Sequence, residues 1–374
     1  MISFPRLYAL MLKEFTQMKR DRFTFAMMIG VPIMQLILFG FAINSDPKHL
    51  PTAIVSADNS AFTRTLIASM QNSTYYAIKP GLTSAADAEQ MLKRGWVQFV
   101  IFIPQDFTQR LVHGSNPEIL IEADATDPAA TSIALATFQN LIQNISQQFT
   151  GSLGFLNQSN PPIHLVLQPK YNPERVTQYN IVPGLLGVVL TMTMVMITAL
   201  AITRERERGT MESLLAMPVK PLEVMIGKLT PYILIGYVQV TVILMVAHWL
   251  FKVPIDGSLI LLFSACFPFI IANLAMGLTF STLASNQLQA MQSSMFFFLP
   301  SILLSGFMFP FYGMPVWAQT IGNVLPLTHF LVIVRGIMLK GNGLIDIYPS
   351  LLAILLFFIA ALALGLKRYR QTLD

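Results

Sequence analysis

The sequence has 374 residues, of which 54% are hydrophobic and only 11% are charged, and its formal net charge is +5. Soluble domains carry about 25% charged residues, so the composition excludes a soluble enzyme. The basic residues lie between apolar segments instead of clustering with aromatic residues, which argues against a nucleic-acid partner. Since Cys266 is the single cysteine, neither an intramolecular disulfide nor a thiolate metal cluster can form from this chain alone.

The first 22 residues carry an amphipathic stripe, which predicts a helix lying in the cytoplasmic membrane interface. A plain extension of the first membrane span is the alternative. The apolar residues of the stripe are Leu7, Tyr8, Met11, Phe15 and Met18.

Six uncharged apolar runs reach the length of about 20 residues that a helix needs to cross a bilayer. The sequence therefore predicts an α-helical membrane protein with six transmembrane helices, the first over 23–45 and the other five within 175–374. A cleaved signal peptide is the competing interpretation of the first run, but that run is long for one and no clear cleavage site follows. The runs are Phe23–Ile43, Ile181–Ile202, Pro231–Phe251, Leu259–Leu283, Met291–Phe311 and Ile347–Leu366.

Lysine and arginine are concentrated in the first 22 residues, in the loop after the second span and in the C-terminal tail. Short loops rich in Lys and Arg stay in the cytoplasm. With six spans, this pattern places both termini in the cytoplasm and the long segment 46–174 on the opposite side of the membrane.

Segment 46–174 has ordinary polarity, and short apolar runs alternate in it with helical patterns. Such alternation predicts a folded extracytoplasmic α/β domain. The predicted strands are Thr52–Ala57, Tyr75–Ile78, Val97–Ile103 and Ile119–Glu122, and the predicted helices are Ala61–Gln71, Ala85–Arg94, Asp106–Val112 and Thr131–Phe149.

Several acidic and amide residues of this domain follow predicted strands: Asp58, Asn59, Asp124 and Asp127. We interpret them as helix caps, whose side chains accept hydrogen bonds from free backbone N–H groups, and not as a catalytic or metal site. The histidines of this segment lack the spacing of a metal site, so no metal is predicted. They are His49, His113 and His164.

The segment from Arg204 to Pro218 joins the second and third spans. As a helix it presents one charged face and one apolar face, and Pro218 ends it. Such a helix is suited to the membrane surface or to the groove of a partner. A solvated connector with internal ion pairs is the alternative.

The stretch E-R-E-R-G-T-M-E-S-L-L-A-M-P-V-K-P-L-E-V-M-I-G-K, residues 205–228, resembles the motif of bacterial ABC-2 type transport permeases, the membrane subunits of multidrug and antibiotic exporters. The resemblance covers the whole chain. It includes Tyr171-Asn-Pro173, Leu304-Ser-Gly-Phe-Met-Phe-Pro310, Met314-Pro-Val-Trp317 and Pro326-Leu-Thr-His-Phe330.

The resemblance implies that 204–218 is a coupling helix that docks on a separate ABC ATPase. It also implies short re-entrant helices near 312–340 on the outer side, a location in the bacterial inner membrane, and in many cases a periplasmic adaptor protein. Carried over to this sequence, the coupling residues are Glu205, Glu207, Gly209, Thr210, Glu212 and Pro218.

The chain lacks the phosphate-binding pattern G-x-x-x-x-G-K-[ST], since Leu222 stands where the first glycine is required and Thr230 is not adjacent to Lys228. We therefore expect no cofactor in this chain, with ATP and magnesium on the partner ATPase. Six spans without an internal repeat are too few to enclose a large pathway, which predicts a second permease subunit, either a homodimer or a related permease. Membrane lipid is a further expected partner.

Candidates for the translocation path are His329 and Arg335, because polar groups at membrane depth are costly and face cavities. An outer interfacial helix with Arg335 extended towards lipid headgroups is the alternative. Met192, Met196 and Phe297 are apolar candidates that suit varied hydrophobic ligands, although such residues more often serve helix packing or face lipid.

The leading hypothesis is the permease subunit of an ATP-driven exporter of hydrophobic or amphiphilic compounds, such as drug-like molecules or lipids. An ion-coupled antiporter that works without an ATPase is one alternative. A non-transporting envelope assembly or sensor protein is another.

Overall fold

The computed structural model describes residues 48–79, 84–113, 115–126, 128–148, 163–174, 176–207 and 221–371. Four predictions lie outside the described residues: the interface helix over 1–22, the first span over 23–45, most of the coupling helix, and the cap assigned to Asp127. The described residues form an α/β unit followed by a helical unit.

The α/β unit alternates strands and helices along the chain. Its strands are β1 (Leu50–Ser56), β2 (Tyr76–Ile78), β3 (Phe99–Ile103), β4 (Glu118–Asp124) and β5 (His164–Lys170). Its helices are α1 (Ala61–Asn72), α2 (Ala85–Arg94), α3 (Phe107–Val112) and α4 (Pro128–Gln148).

The strands form one sheet in the order β2-β1-β3-β4-β5. β1 is parallel to β2 and β3, β3 is antiparallel to β4, and β4 is parallel to β5. The register pairs Ile54 with Ile101 and Ile101 with Ile121. The sequence of β3, Phe-Val-Ile-Phe-Ile, suits a central strand covered on both faces, because β-branched and aromatic residues pack well on a pleated surface.

Helices cover the sheet with large apolar side chains. Phe62 on α1, Phe107 on α3 and Phe138 on α4 are each at most 1% exposed, and they pack with Leu50 and Ile101 of the sheet. This core confirms that the block has an α/β fold of its own. Its position outside the cytoplasm stays a prediction.

The predicted strands and helices of the block are confirmed within three residues at each end. The sequence did not predict β5, which lies at the edge of the sheet with alternate residues exposed. β5 contains Pro169, which cannot donate to a ladder and is tolerated in strands at such edges.

Asp58 has a structural role in the connection between β1 and α1. Ser60 caps α1, since its Oγ accepts a hydrogen bond from the Thr63 N–H at 3.2 Å. The Asp58 carboxylate accepts from the hydroxyls of Ser60, Thr63 and Thr108 at 2.9, 2.7 and 2.6 Å. Asp58 thus has a structural role, as the capping interpretation expected, but the cap of α1 itself is Ser60 and not Asp58. Burial opposes ionisation of Asp58, but the hydrogen bonds, that from Thr108 foremost, outweigh it and lower its pKa.

We expect Asp58→Asn to lower the free energy of unfolding by about 1 kcal/mol at pH 7, because the carboxylate hydrogen bonds are lost. A lowered pKa means that ionisation stabilises the folded state fully above the ordinary value of 3.8. That contribution disappears as the pH falls below this value through the folded-state pKa. Thermal unfolding of both proteins at several pH values tests this. A variant deficit that persists unchanged at the lowest pH would contradict it, and exposed Glu118→Gln is the control.

The helical unit contains seven α-helices among the described residues. They are α5 (Thr177–Glu207), α6 (Pro221–Trp249), α7 (Leu259–Leu283), α8 (Gln287–Leu304), α9 (Val316–Val324), α10 (Pro326–Lys340) and α11 (Leu344–Gln371). A short 3-10 turn, Phe311–Gly313, lies between α8 and α9.

The core of the helical unit lies between α5, α7 and α10. Phe269 of α7 and Phe330 of α10 are fully buried and stack with their ring centres 3.9 Å apart. Leu186 of α5 belongs to the same cluster. Because α10 is buried over most of its length, the charged residues that it carries are brought deep into the protein.

Four described helices are long and apolar enough to cross a membrane: Thr177–Arg204, Leu229–Trp249, Leu259–Leu283 and Leu344–Gly365. Helices α9 and α10 are bent by 79° relative to each other and could form a fifth crossing as a pair. The described residues thus hold four or five candidate spans, where the sequence predicted five after the first. The short helices expected near 312–340 are present, and their re-entry into the membrane stays a prediction.

The predicted span Met291–Phe311 is wrong in its bounds, and its crossing of the membrane stays a prediction. Helix α8 runs from Gln287 to Leu304 and carries three glutamines, so it is not among the four apolar helices. The helix ends because Gly306 adopts φ +82°, a left-handed conformation that favours glycine. The apolar residues that follow form the turn before α9 instead of a continued helix.

Candidate functional site

The cytoplasmic end predicted for α5 is fixed to the start of α8. The Glu207 carboxylate accepts hydrogen bonds from the Gln287 backbone N–H at 2.8 Å and from the Gln287 side-chain amide. Arg204 Nε donates to Gln287 Oε1 at 3.4 Å. The hydrogen bonds from Gln287, the side-chain amide first, lower the pKa of Glu207. This acceptor therefore stays ionised at neutral pH and holds two helices together immediately before the predicted coupling segment.

The structure describes little of the other predicted coupling residues. Glu205 lies in the last turn of α5, and its side-chain environment is not described. Four lie outside the described residues: Gly209, Thr210, Glu212 and Pro218. Their role stays a prediction. Gln287, which no motif singled out, is the partner that the structure adds.

A cavity of about 210 Å³ lies where the α/β unit meets the helical unit. The end of α2 and of β4 form one side, and the α8–α9 connection and α10 form the other. The described polar residues that line it are Lys93, Arg94, Gln98, Asp124, Thr126, Ser305, Tyr312, Asn323, Thr328, His329, Arg335, Lys340 and Asn342.

Lys340, the last residue of α10, forms an ion pair with Asp124, the last residue of β4. The two side chains are only 7% and 9% exposed. Lys340 Nζ also lies 5.3 Å from the centre of the Tyr171 ring. Asp124 does accept local hydrogen bonds from Thr126 through its other oxygen. The capping interpretation of Asp124 is therefore incomplete, since half of the carboxylate binds a lysine 216 positions away.

Further contacts join the two units around this ion pair. Arg94 Nε donates to Asp346 Oδ1 at 2.9 Å, and Asn342 Nδ2 donates to the Lys93 carbonyl at 3.3 Å. On the other side, the Lys48 N–H donates to the Tyr312 carbonyl at 3.2 Å. Burial, and secondarily the charge of Asp124, raises the pKa of the Tyr312 hydroxyl, which stays neutral. The α/β unit is thus held against the corner between α10 and α11.

The structure brings together two of the predicted path residues, His329 and Arg335, which both line the cavity. His329 Nε2 lies 2.8 Å from the Asn323 carbonyl, and Arg335 Nη1 donates to the Gly306 carbonyl at 3.5 Å. Arg335 therefore lies at a cavity, as one of its two interpretations expects. Whether a substrate passes here stays a prediction.

The remaining predicted path residues lie elsewhere. Phe297 of α8 is 8% exposed, and its ring centre lies 6.0 Å from that of Phe280 and 6.1 Å from that of Phe357. Its described contacts are those of helix packing. Met192 on α5 is 38% exposed and Met196 is partly buried, and neither lines the cavity.

Within the described ranges no group of three His, Cys, Asp or Glu side chains could hold a metal ion. Sequence reasoning missed the cavity residues Lys93, Gln98 and Lys340. A lysine at the end of an apolar helix was the one available signal, and nothing local indicated its partner.

Known proteins resemble this chain along most of its length. The profile of ABC-2 family transporter proteins matches residues 22–367. The probable multidrug ABC transporter permease YbhR of Escherichia coli (strain K12) is 28% identical over 348 residues, which cover 93% of this chain and 94% of that protein. The probable multidrug ABC transporter permease YbhS of the same organism is 28% identical over 367 residues, which cover 97% of this chain and 94% of that protein.

ABC transporter G family member 20 of Dictyostelium discoideum is 26% identical over 371 residues, which are 95% of this chain and 50% of that protein. The family profile extends through the helical unit and the α/β unit alike. The apolar helices that it covers make this a multi-pass membrane protein. The chain therefore belongs to the ABC-2 family of transporter proteins.

Proposed function

We propose that the protein is the permease subunit of an ATP-driven exporter in the bacterial inner membrane, moving hydrophobic or amphiphilic compounds out of the cytoplasm. A separate ABC ATPase supplies the energy, and a second permease subunit completes the pathway. The family and the relatives named multidrug ABC transporter permease support this proposal. A relative named inner membrane transport permease YhhJ supports the location.

The observation that carries the proposal is the link between Glu207 and Gln287. A docked ATPase would move the segment after α5, and the carboxylate connects that segment to the start of α8. Movement at the ATPase would therefore reach two helices at once. In addition, residues 177–203, 229–249, 259–283 and 347–365 contain no Asp, Glu, Lys or Arg, whereas ion-coupled transporters use ionisable groups at this depth.

The test is affinity purification of the tagged protein from its native membrane, followed by identification of co-purified subunits and an ATPase assay. We expect the wild type to recover an ATP-hydrolysing subunit. Gly209→Pro and Glu212→Arg should each reduce the recovered ATPase about 10-fold or more, because central interface residues carry most of the binding energy.

The matched control is Glu174→Arg, the same charge reversal at an exposed position before the opposite end of α5. It should recover as much ATPase as the wild type. Recovery of no nucleotide-binding subunit by the wild type, under conditions that preserve membrane complexes, would overturn the proposal. Equal losses in all three variants would remove the assignment of coupling to 204–218.

A further inference from the structure

The cavity between the α/β unit and α10 is rich in positive charge. Four cationic side chains line it: Lys93, Arg94, Arg335 and Lys340. Asp124 is the one carboxylate among its described lining residues, and it pairs with Lys340. Even when Asp346 behind Arg94 is included, the described charges amount to four cations against two carboxylates. An anionic group would gain from this field, because such attraction is strong where water is partly excluded.

Two hydrogen-bond acceptors accompany the cations. Gln98 Oε1 and Asn342 Oδ1 are buried at the cavity and accept no hydrogen bond from the part of the chain that the structure describes. A buried acceptor without a donor is costly. The cavity therefore offers cationic donors for an acid together with acceptors for a hydroxyl or ammonium group.

Part of the cavity wall is apolar. It consists of Phe311, Leu331 and Val332. Val332 is 48% exposed on α10, so the wall continues onto the outer surface of an apolar helix. The volume of about 210 Å³ lies below the roughly 300–1,000 Å³ usual for drug-sized ligands. A headgroup fits this space, and a chain attached to it can leave along Val332.

We propose that this cavity binds the acidic headgroup of an amphiphile, in which a phosphate or carboxylate contacts Lys93 and Arg335 and a hydroxyl or ammonium donor contacts Gln98 and Asn342. The proposal rests on the cavity alone. It holds whether or not the protein exports with an ATPase, because headgroup binding requires neither a partner nor ATP.

The experiment measures binding to the purified full-length protein in detergent by titration calorimetry, without ATP. Dihexanoyl phosphatidylglycerol supplies the acid and the hydroxyls, dihexanoyl phosphatidylmethanol the same charge without hydroxyls, and dihexanoyl phosphatidylcholine a zwitterion without donors. We expect phosphatidylglycerol to bind most tightly. Lys93→Gln and Arg335→Gln should each raise its Kd about 10-fold, as expected for loss of one charge-assisted hydrogen bond.

The acceptor side has its own test. Gln98→Leu should reduce the affinity for phosphatidylglycerol to that for phosphatidylmethanol. It should leave the affinity for phosphatidylmethanol unchanged. Controls for charge are Lys252→Gln and Arg64→Gln, which remove exposed cations away from the cavity. If Arg335→Gln does not fold, two other variants decide the outcome. They are Arg335→Lys, which keeps the charge, and Lys93→Gln, at a half-buried position.

Wild-type affinity for phosphatidylglycerol in Lys93→Gln and Arg335→Gln would overturn the proposal, as would equal binding of all three lipids. Binding of sodium phosphate as tight as that of phosphatidylglycerol would overturn the assignment to an amphiphile and leave a free anion as the ligand. Retention of phosphatidylglycerol from native membranes, identified by mass spectrometry, would assign the site to lipid. If the purified protein carries no native lipid but binds the added short-chain lipid, the site is assigned to a transported amphiphile.

Discussion

Replacing Lys340 with methionine is expected to destabilise the protein by about 3–5 kcal/mol. The variant keeps the apolar stem of the side chain but removes the cation that faces Asp124. Both partners are less than 10% exposed, so the carboxylate would remain buried without its counter-charge. Breaking a buried pair in this way costs far more than the intact pair contributes, because ions are desolvated on both sides.

Thermal unfolding of the purified protein in detergent measures this effect. Arg110→Met is the control, since Arg110 pairs with Asp106 at the surface, with side chains 57% and 43% exposed. Such surface pairs contribute about 0–1 kcal/mol. Adding Asp124→Asn to Lys340→Met should restore part of the stability. A Lys340→Met protein as stable as the wild type would show that Asp124 is not desolvated.

Gly277→Ala is expected to destabilise the helical unit by about 2 kcal/mol. A Cβ atom at Gly277 of α7 would lie 2.5 Å from the Val195 carbonyl oxygen and 2.9 Å from the Thr198 Cβ, both on α5. A backbone carbonyl cannot rotate away as a side chain can, so the two helices must separate. Small residues permit this kind of close approach between membrane helices.

The matched control is Gly236→Ala on α6. The three atoms nearest to its added Cβ would all belong to the Ile270 side chain, at 3.0–3.3 Å. Because Ile270 can adjust by a few tenths of an ångström, we expect a loss below about 1 kcal/mol. Unfolding temperatures in one detergent compare the two variants directly. Equal losses would mean that the contact between α5 and α7 is no more rigid than that between α6 and α7.

Local pattern predicted much of the fold. Strands and helices of the α/β unit alternate at short, regular intervals along the chain. The observed bounds of α2 and α7 are the ones that the sequence predicted. β5 was not predicted because its burial depends on pairing with β4 and not on its own composition. The fifth run was extended too far because apolar residues continue past Gly306, and apolarity alone does not show where a backbone turns.

The candidate site was predictable only in part. His329 and Arg335 stand out in an apolar region because polar groups there are costly and therefore indicate a functional or structural role. The partners of Lys340 and Gln98 come from distant segments, and no periodicity relates Asp124 to a lysine 216 positions later. Such pairs follow from the topology that brings the end of β4 to the end of α10.

The contacts that hold the α/β unit to the corner between α10 and α11 make α11 a lever. The helix has 28 residues, so it is about 42 Å long at 1.5 Å per residue. Asp346, close to its first residue, is attached to Arg94 of the α/β unit. A rotation of that unit by about 10° that carried α11 with it would displace the far end of the helix by about 7 Å. Small movements of the α/β unit would thereby become large ones at the C-terminal end of α11.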